Sequence, residues 1–419
     1  MIAINEVEIA DIKSPHHGKI KSILIEDGVI KSIADKPYHN ASKIINGKGL
    51  TLSVGWCDLG TYIGDPGFEQ KEDVESACNT AAAGGFTQLA VLPNTSPVIQ
   101  QKNSVRYLTA GNETRAIQLF PIGAVSIENE GKEITEMIDL HHAGAVAFSD
   151  GLYPIWNTDI FLKCLLYLQK FDGLLIQKPE DKWLNLYGQM HEGKISTSLG
   201  LKGIPAISEY LTLARDLKLL EYAGGKVHFS GVSTWQSVEM IREAKQKGMK
   251  VTCDVAAYNL HFTDEAVLDF DANLKVNPPL RTQQHVGALW QGLQDGTIDA
   301  ISTAHRPHDE ECKKLEFDLA EFGMLGLQTL LPMLLSHGDK FSFDQIVEKV
   351  SSNPRRVLGL AIAKIQEGEM ANITLFDKNE KWILNHDTNR SKSINSPFWG
   401  QTLSGRVKYV FNNNRMLEV

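Results

Sequence analysis

Apolar and polar residues change their rhythm twice along the chain. Residues 1–51 alternate with a period of two. The stretch "KSILIEDGVIKSIA" places apolar side chains on one face on either side of Asp27-Gly28, a pair suited to a tight hairpin turn. From residue 52 to 362 short apolar runs alternate with amphipathic stretches of helical period. The runs are "TQLAVLPNT", "IQLFPIGAVS", "GAVAFSDG", "GLLIQK", "KVHFSGVST", "KVTCDVAAY" and "IDAISTAH". Between two of them, "STWQSVEMIREAKQKG" reads as a helix closed by Gly248. Strand then helix, repeated about eight times over about 300 residues, predicts a parallel (β/α)8 TIM barrel, with a doubly wound open sheet as the alternative. After residue 363 the chain is β-like again, in "ANITLFDKNEKWIL" and "GRVKYVFNNNRMLEV". The two β-rich ends, 1–51 and 363–419, are expected to pair into one small β-sandwich-like domain beside the barrel.

Composition narrows the function classes. The chain has 419 residues, 42% hydrophobic and 22% charged, which suits a soluble globular protein. Its 51 acidic and 42 basic residues give a net charge of -9 without basic tracts, which argues against nucleic acid or anionic membranes as partners. No apolar run approaches the roughly 20 residues of a membrane span. The start of the chain lacks the pattern of a signal peptide, so a cytoplasmic location is expected. The five cysteines, Cys57, Cys78, Cys164, Cys253 and Cys312, lack zinc-site spacing and read as buried thiols.

In a barrel of this kind the chemistry sits where strands end. The strand-end positions are 58–64, Asn94, Asp150, Lys178, Gly231, 254–259 and 304–308. The stretches there and beyond, "DPGFEQKEDVESACNTAAAGGFTQLAVLPNTSPV", "AFSDG", "VNPPLRT", "DGTIDAISTAHRPH", "NPRRVLGL" and "SKSINSPFWGQTLSGRV", resemble the dihydroorotase family of the amidohydrolase superfamily over nearly the whole chain. The resemblance implies a cyclic amide hydrolase of pyrimidine (UMP) synthesis, which interconverts carbamoyl aspartate and dihydroorotate. In active members zinc, held by histidines and carboxylates, supplies hydroxide and polarises the amide, and a strand-end aspartate moves the proton.

The positions that carry this chemistry in the family hold other residues here. The family's His-x-His falls on Gly60 and Tyr62, and its carboxylate-binding arginine on Gly64. Two further ligand histidines fall on Lys178 and Gly231, and the proton-carrying aspartate falls on Ala304. By resemblance, Asp150 matches a metal-bridging carboxylate, and Asn94, Asn277 and His308 match substrate-binding residues. A catalytic zinc takes about three protein ligands, and without it water keeps a pKa of about 15.7. No bound metal is therefore expected, and the chain reads as a pseudoenzyme. The resemblance to inactive dihydroorotase-like chains implies a structural or regulatory partner of aspartate carbamoyltransferase. The alternatives are an active enzyme with an altered site, or a sensor of a small amide. A homo-oligomer, a dimer, is also expected.

Three side chains near the mouth invite closer reading. Lys178 is expected to fill the space of the dication and pair with Asp150; carboxylation to a metal ligand and exposure to solvent are its alternatives. Arg306 is expected either to cap the emptied site by pairing with Asp65 or Glu180, or to lie in solvent. His228 and His305 read as hydrogen-bonded structural histidines.

Overall fold

The protein was analysed as a computed structural model, which describes every residue except Asp339 and Phe341. The barrel strands are β1 (Trp56–Thr61), β2 (Phe86–Val91), β3 (Gln118–Gly123), β4 (Ala147–Phe148), β5 (Leu175–Gln177), β6 (Val227–Phe229), β7 (Val251–Ala256) and β8 (Ala300–Ser302). They lie side by side in chain order, each parallel to the next, and form a nearly closed barrel. A doubly wound sheet would reverse its order partway; this one does not.

Alternate strand positions serve two cores, as the period of two requires. Leu89, Val91, Leu119, Phe148, Leu175, Phe229, Val255 and Ile301 pack with the surrounding helices. Cys57, Leu59, Ala90, Ile122, Ala147, Ile176 and Ala300 form a separate cluster with Leu358. The small side chains in that second set, three of them alanines, are what a narrow barrel interior accommodates.

Helix ends follow local chemistry. Helix Val74–Gly84 opens with a capping box between Asp73 and Ser76 and closes on Gly85 at φ 91°. Helix Trp235–Gln246 opens on Thr234, whose hydroxyl accepts from the Ser237 N–H.

The two chain ends share one eight-stranded sheet. Strand Thr51–Val54 runs parallel to Ile2–Ile9 and antiparallel to Ile373–Ile383. Asp27 and Gly28 both have positive φ, 49° and 81°, as a two-residue hairpin turn of this hand demands. Ile4, Ile23, Ile25, Leu52, Val54, Ile373, Leu375 and Phe411 make this unit's core. A two-stranded ribbon, Met190–His191 with Gly203–Ile204, is inserted after β5; the sequence pattern had not announced it. No helix among the described residues is long and apolar enough to cross a membrane.

Candidate functional site

The ends of the barrel strands surround a cavity that opens to solvent. Gly60, Lys178, Gly231, Asn277 and Ala304 line it, together with Leu92, Leu152, Tyr258, Ser302, His305, Arg306 and Gly323. Five of the ten candidate residues thus meet there. Tyr62, Gly64, Asn94, Asp150 and His308 lie behind the lining.

Local backbone geometry decides what each position can carry. A Cβ added at Gly60 would meet only Leu92 Cδ2, at 3.5 Å, so a side chain fits there. At Gly64 it would fall 2.2 Å from the Phe68 carbonyl oxygen and 2.9 Å from that of Glu72, so any side chain requires the backbone to move. Gly231 has φ 70°, and its Cβ would meet Pro278 at 3.2 Å. Ala304 also has positive φ, 47°.

The carboxylates around the mouth are already engaged. Asp150 is fully buried; its Oδ1 accepts from the Ser126 N–H at 2.9 Å and its Oδ2 from the Ser126 hydroxyl at 2.6 Å. Burial pushes its pKa up to about 6, against the pull of these bonds. Asp254 accepts from the Gly231 N–H and the Ser302 hydroxyl and holds His228 Nε2 at 2.8 Å. His228 Nδ1 lies 2.8 Å from the Thr252 hydroxyl, so this histidine is bonded at both nitrogens. Asp58 accepts from Thr61 and Thr303.

The expected Lys178–Asp150 pair does not form. Lys178 Nζ instead meets Glu180 Oε2 at 2.7 Å and donates to the Leu152 carbonyl at 3.1 Å. Ser126 satisfies Asp150, and Glu180, two residues after Lys178, is within reach of its ammonium. Burial raises the Glu180 pKa, but Lys178, together with Asn277 Nδ2 at 2.9 Å, takes it below the ordinary value. A double-mutant cycle with Lys178→Met and Glu180→Gln is expected to give a coupling of about 2 kcal/mol, between exposed and fully buried pairs. The cycle of Lys178→Met with Asp150→Leu should be additive within about 0.5 kcal/mol. Urea unfolding of the six proteins checks both.

Arg306 likewise pairs with neither Asp65 nor Glu180. Asp65 accepts from the Tyr107 hydroxyl and the Val74 N–H, and Glu180 is taken by Lys178. The nearest carboxylate to Arg306 is that of Glu321, at 4.0 Å. His305 is half-satisfied: Nδ1 accepts from the Gly326 N–H, but Nε2 stands 3.4 Å from Glu72 without a hydrogen bond among the described residues. Asn94 donates to the Asp150 carbonyl and accepts from the Leu152 N–H. His308 has Lys71 Nζ at 3.2 Å from Nδ1 and the Phe322 carbonyl at 3.0 Å from Nε2. Both side chains therefore support the mouth's walls.

These residues do not fit a zinc centre. Gly60, Gly231 and Ala304 offer no donor side chain, Lys178 brings a positive charge, and Asp150 faces Ser126. Among the described residues no three His, Cys, Asp or Glu side chains converge in a way that could hold a metal ion.

Comparison with known proteins adds ancestry to this geometry. Residues 49–237 match the family described as Dihydro-orotase-like, and residues 179–416 the Amidohydrolase family. The chain is 41% identical over 413 residues to a protein of Acetivibrio thermocellus named dihydroorotase, covering 98% of this chain and 97% of that one. A dihydroorotase of Ruminiclostridium cellulolyticum is 40% identical over 98% of this chain and 96% of its own length. In fold, the chain is similar to the L-hydantoinase (dihydropyrimidinase) of Arthrobacter aurescens, with a TM-score of 0.84 at 21% identity over 100% of this chain and 96% of that one.

Proposed function

Since this chain belongs to the dihydroorotase family of amidohydrolases, we propose that it is a non-catalytic member whose barrel mouth has been given up as a metal site. The observation that carries the reading is the set Gly60, Lys178, Gly231 and Ala304 around one cavity: of these four, Lys178 alone has a polar side chain, and it is committed to Glu180. The backbone supports it too. An arginine cannot be restored at Gly64 without moving the Phe68 carbonyl, and a side chain at Gly231 would be strained. No single substitution rebuilds such a site, because its parts act as a unit.

The reading extends to a structural or regulatory role in pyrimidine synthesis beside aspartate carbamoyltransferase. Its support is the resemblance to inactive dihydroorotase-like chains, and copurification of the two proteins from the native cell tests it. A second reading, an active dihydroorotase with an altered site, is favoured by the 41% identity to a protein so named, which extends over nearly both chains.

One experiment separates the two. Protein purified with zinc present is assayed for dihydroorotate hydrolysis and for bound metal. The expected result is background turnover and well under one zinc per chain. Turnover that is lost on mutating Lys178 or Asn277, or one tightly held zinc, would establish the active reading instead.

A further inference from the structure

We propose that the outer face of helix Ala206–Ala223 is an interface with a second copy of this chain, closed by a two-fold axis that passes beside Ala214. The inference goes beyond the reading of the barrel mouth and does not depend on it.

The helix is amphipathic the wrong way round. A helix on the outside of a barrel ordinarily turns an apolar stripe inward and polar residues to water. Here the buried side carries Ser208, Glu209, Thr212 and Asp216 beside Leu213 and Leu220. Three of these polar groups are answered inside the protein. The Ser208 hydroxyl donates to the Asp181 carbonyl at 3.2 Å, Glu209 accepts from the N–H groups of Ser233 and Thr234 at 3.0 and 2.9 Å, and Asp216 accepts from Gln177 Nε2 at 2.8 Å. The outward side carries Ile207, Tyr210, Leu211, Ala214 and Leu217, at the spacings of three and four that keep residues on one face. Ile207 and Leu211 are exposed and the other three half-buried.

Neighbouring segments lengthen the stripe. The Asp181 N–H donates to the Ser208 carbonyl at 3.1 Å, which sets the exposed side chains of Trp183 and Leu184 beside the start of the helix. At the other end Gln169 Nε2 donates to the Ala223 carbonyl at 3.0 Å and draws helix Thr158–Leu168 alongside. Leu166, 52% exposed, stands three residues before that tie, and Tyr222, 81% exposed, one residue before it. Counting roughly 150–250 Å² for a whole aromatic side chain and less for Leu or Ile, the six exposed residues offer on the order of 700 Å². That is above the usual largest apolar patch of a monomer and close to the roughly 800 Å² that one partner gives to a standard interface.

The pattern of the stripe selects its occupant. A two-fold axis beside Ala214 sets an antiparallel copy of the helix so that each residue faces the one equally far on the other side of Ala214. Leu211 then faces Leu217, Tyr210 faces Lys218 and Ile207 faces Glu221. The smallest side chain of the stripe lies where the two backbones come closest, and no charge meets a like charge. Lys218 keeps its pair with Glu221 at 2.8 Å and gains the tyrosine ring of the other copy. Trp183 follows Glu180 by three residues, so the same contact holds the segment that carries the Lys178–Glu180 pair at the cavity.

The test is sedimentation equilibrium of the full-length protein up to about 50 μM. The parent should sediment as two chains. Leu211→Glu should weaken the association by about tenfold or more, with an unchanged far-UV spectrum, because the position is exposed within one chain. Ala214→Cys should be joined into a covalent pair by a short bismaleimide and the parent should not, a readout that needs no weakened variant. The proposal is overturned if the parent is a single chain at about 50 μM, if Leu211→Glu associates as tightly as the parent, or if Ala214→Cys does not cross-link. A single-chain parent that binds purified aspartate carbamoyltransferase and loses it on Leu211→Glu would overturn it too, by assigning the face to that transferase. Neither turnover nor bound zinc is read, so these outcomes and those for the barrel mouth are distinguishable.

Discussion

Replacing Arg355 with methionine is expected to cost about 4 kcal/mol of stability, the largest loss anticipated for a single side chain here. Arg355 lies on helix Ser352–Leu358 and is 1% exposed. Among the described residues no carboxylate lies within ion-pair distance of it. Its Nε donates to Gln88 Oε1 at 2.7 Å, and its Nη1 to the Gly55 carbonyl at 2.6 Å and the Ser351 hydroxyl at 2.8 Å. Nη2 reaches Thr87 at 3.3 Å and Asn372 at 3.4 Å. The guanidinium thus joins the entries to β1 and β2 to Asn372, the residue just before strand Ile373–Ile383. Methionine would fill much of the volume and leave the Gln88 acceptor buried without a donor. Lysine keeps the charge but not the geometry and should cost roughly half as much. Urea denaturation of the three proteins measures this; a loss below about 1 kcal/mol for methionine would mean that the network is dispensable.

The second large effect concerns acid. His308 is 3% exposed, and its pKa is pushed down to about 2 by burial, with Arg306 and Lys71 adding to the effect. A histidine held neutral in the fold contributes stability that is fully present above its ordinary pKa of 6.5. That stability drains away as pH falls, because the unfolded chain takes up the proton that the fold refuses. The slope is about 1.4 kcal/mol per pH unit, so the drain reaches about 3 kcal/mol by about pH 4.5. His308→Gln keeps a donor for the Phe322 carbonyl and removes the titration. The difference in stability between parent and variant should therefore shift by about 2 kcal/mol in the variant's favour between pH 6.5 and about 4.5. The comparison isolates one group: His191, His261 and His285 act in the same sense, Asp150 and Asp216 in the opposite one, and all are common to both proteins. A parallel pair of pH profiles would refute it.

The barrel was legible because its information is local and periodic. Each apolar run read from the sequence contains one of the strands β2 to β8, and the Asp27-Gly28 turn has the backbone that the pair suggested. The resemblance to dihydroorotases rested on dispersed motifs, and whole-chain identity supports the same family. What stayed hidden were the partners of charged side chains. Lys178 had Asp150 as an apparent neighbour one strand away, but a serine hydroxyl and one N–H had already satisfied that carboxylate. Glu180 was visible in "QKPED" two residues on, but nothing in the spacing said that its carboxylate would meet the lysine. The lack of room at Gly64 was equally invisible, because it depends on carbonyls of residues 68 and 72. Periodicity announces elements; only coordinates assign the hydrogen bonds between their ends.

The sheet shared by the two chain ends has a consequence for how the protein is made. Strand Thr51–Val54 leaves the ribosome long before its antiparallel partner Ile373–Ile383. The barrel strands lie wholly between them in the order of synthesis. During translation, then, Leu52 and Val54 wait with an open edge while the barrel is completed, and that edge is the kind that recruits other strands. A chain cut short before residue 373 keeps it open for good. Only a segment made after the barrel covers that short strand, so copies cut short of it keep an edge open to chaperones and proteases.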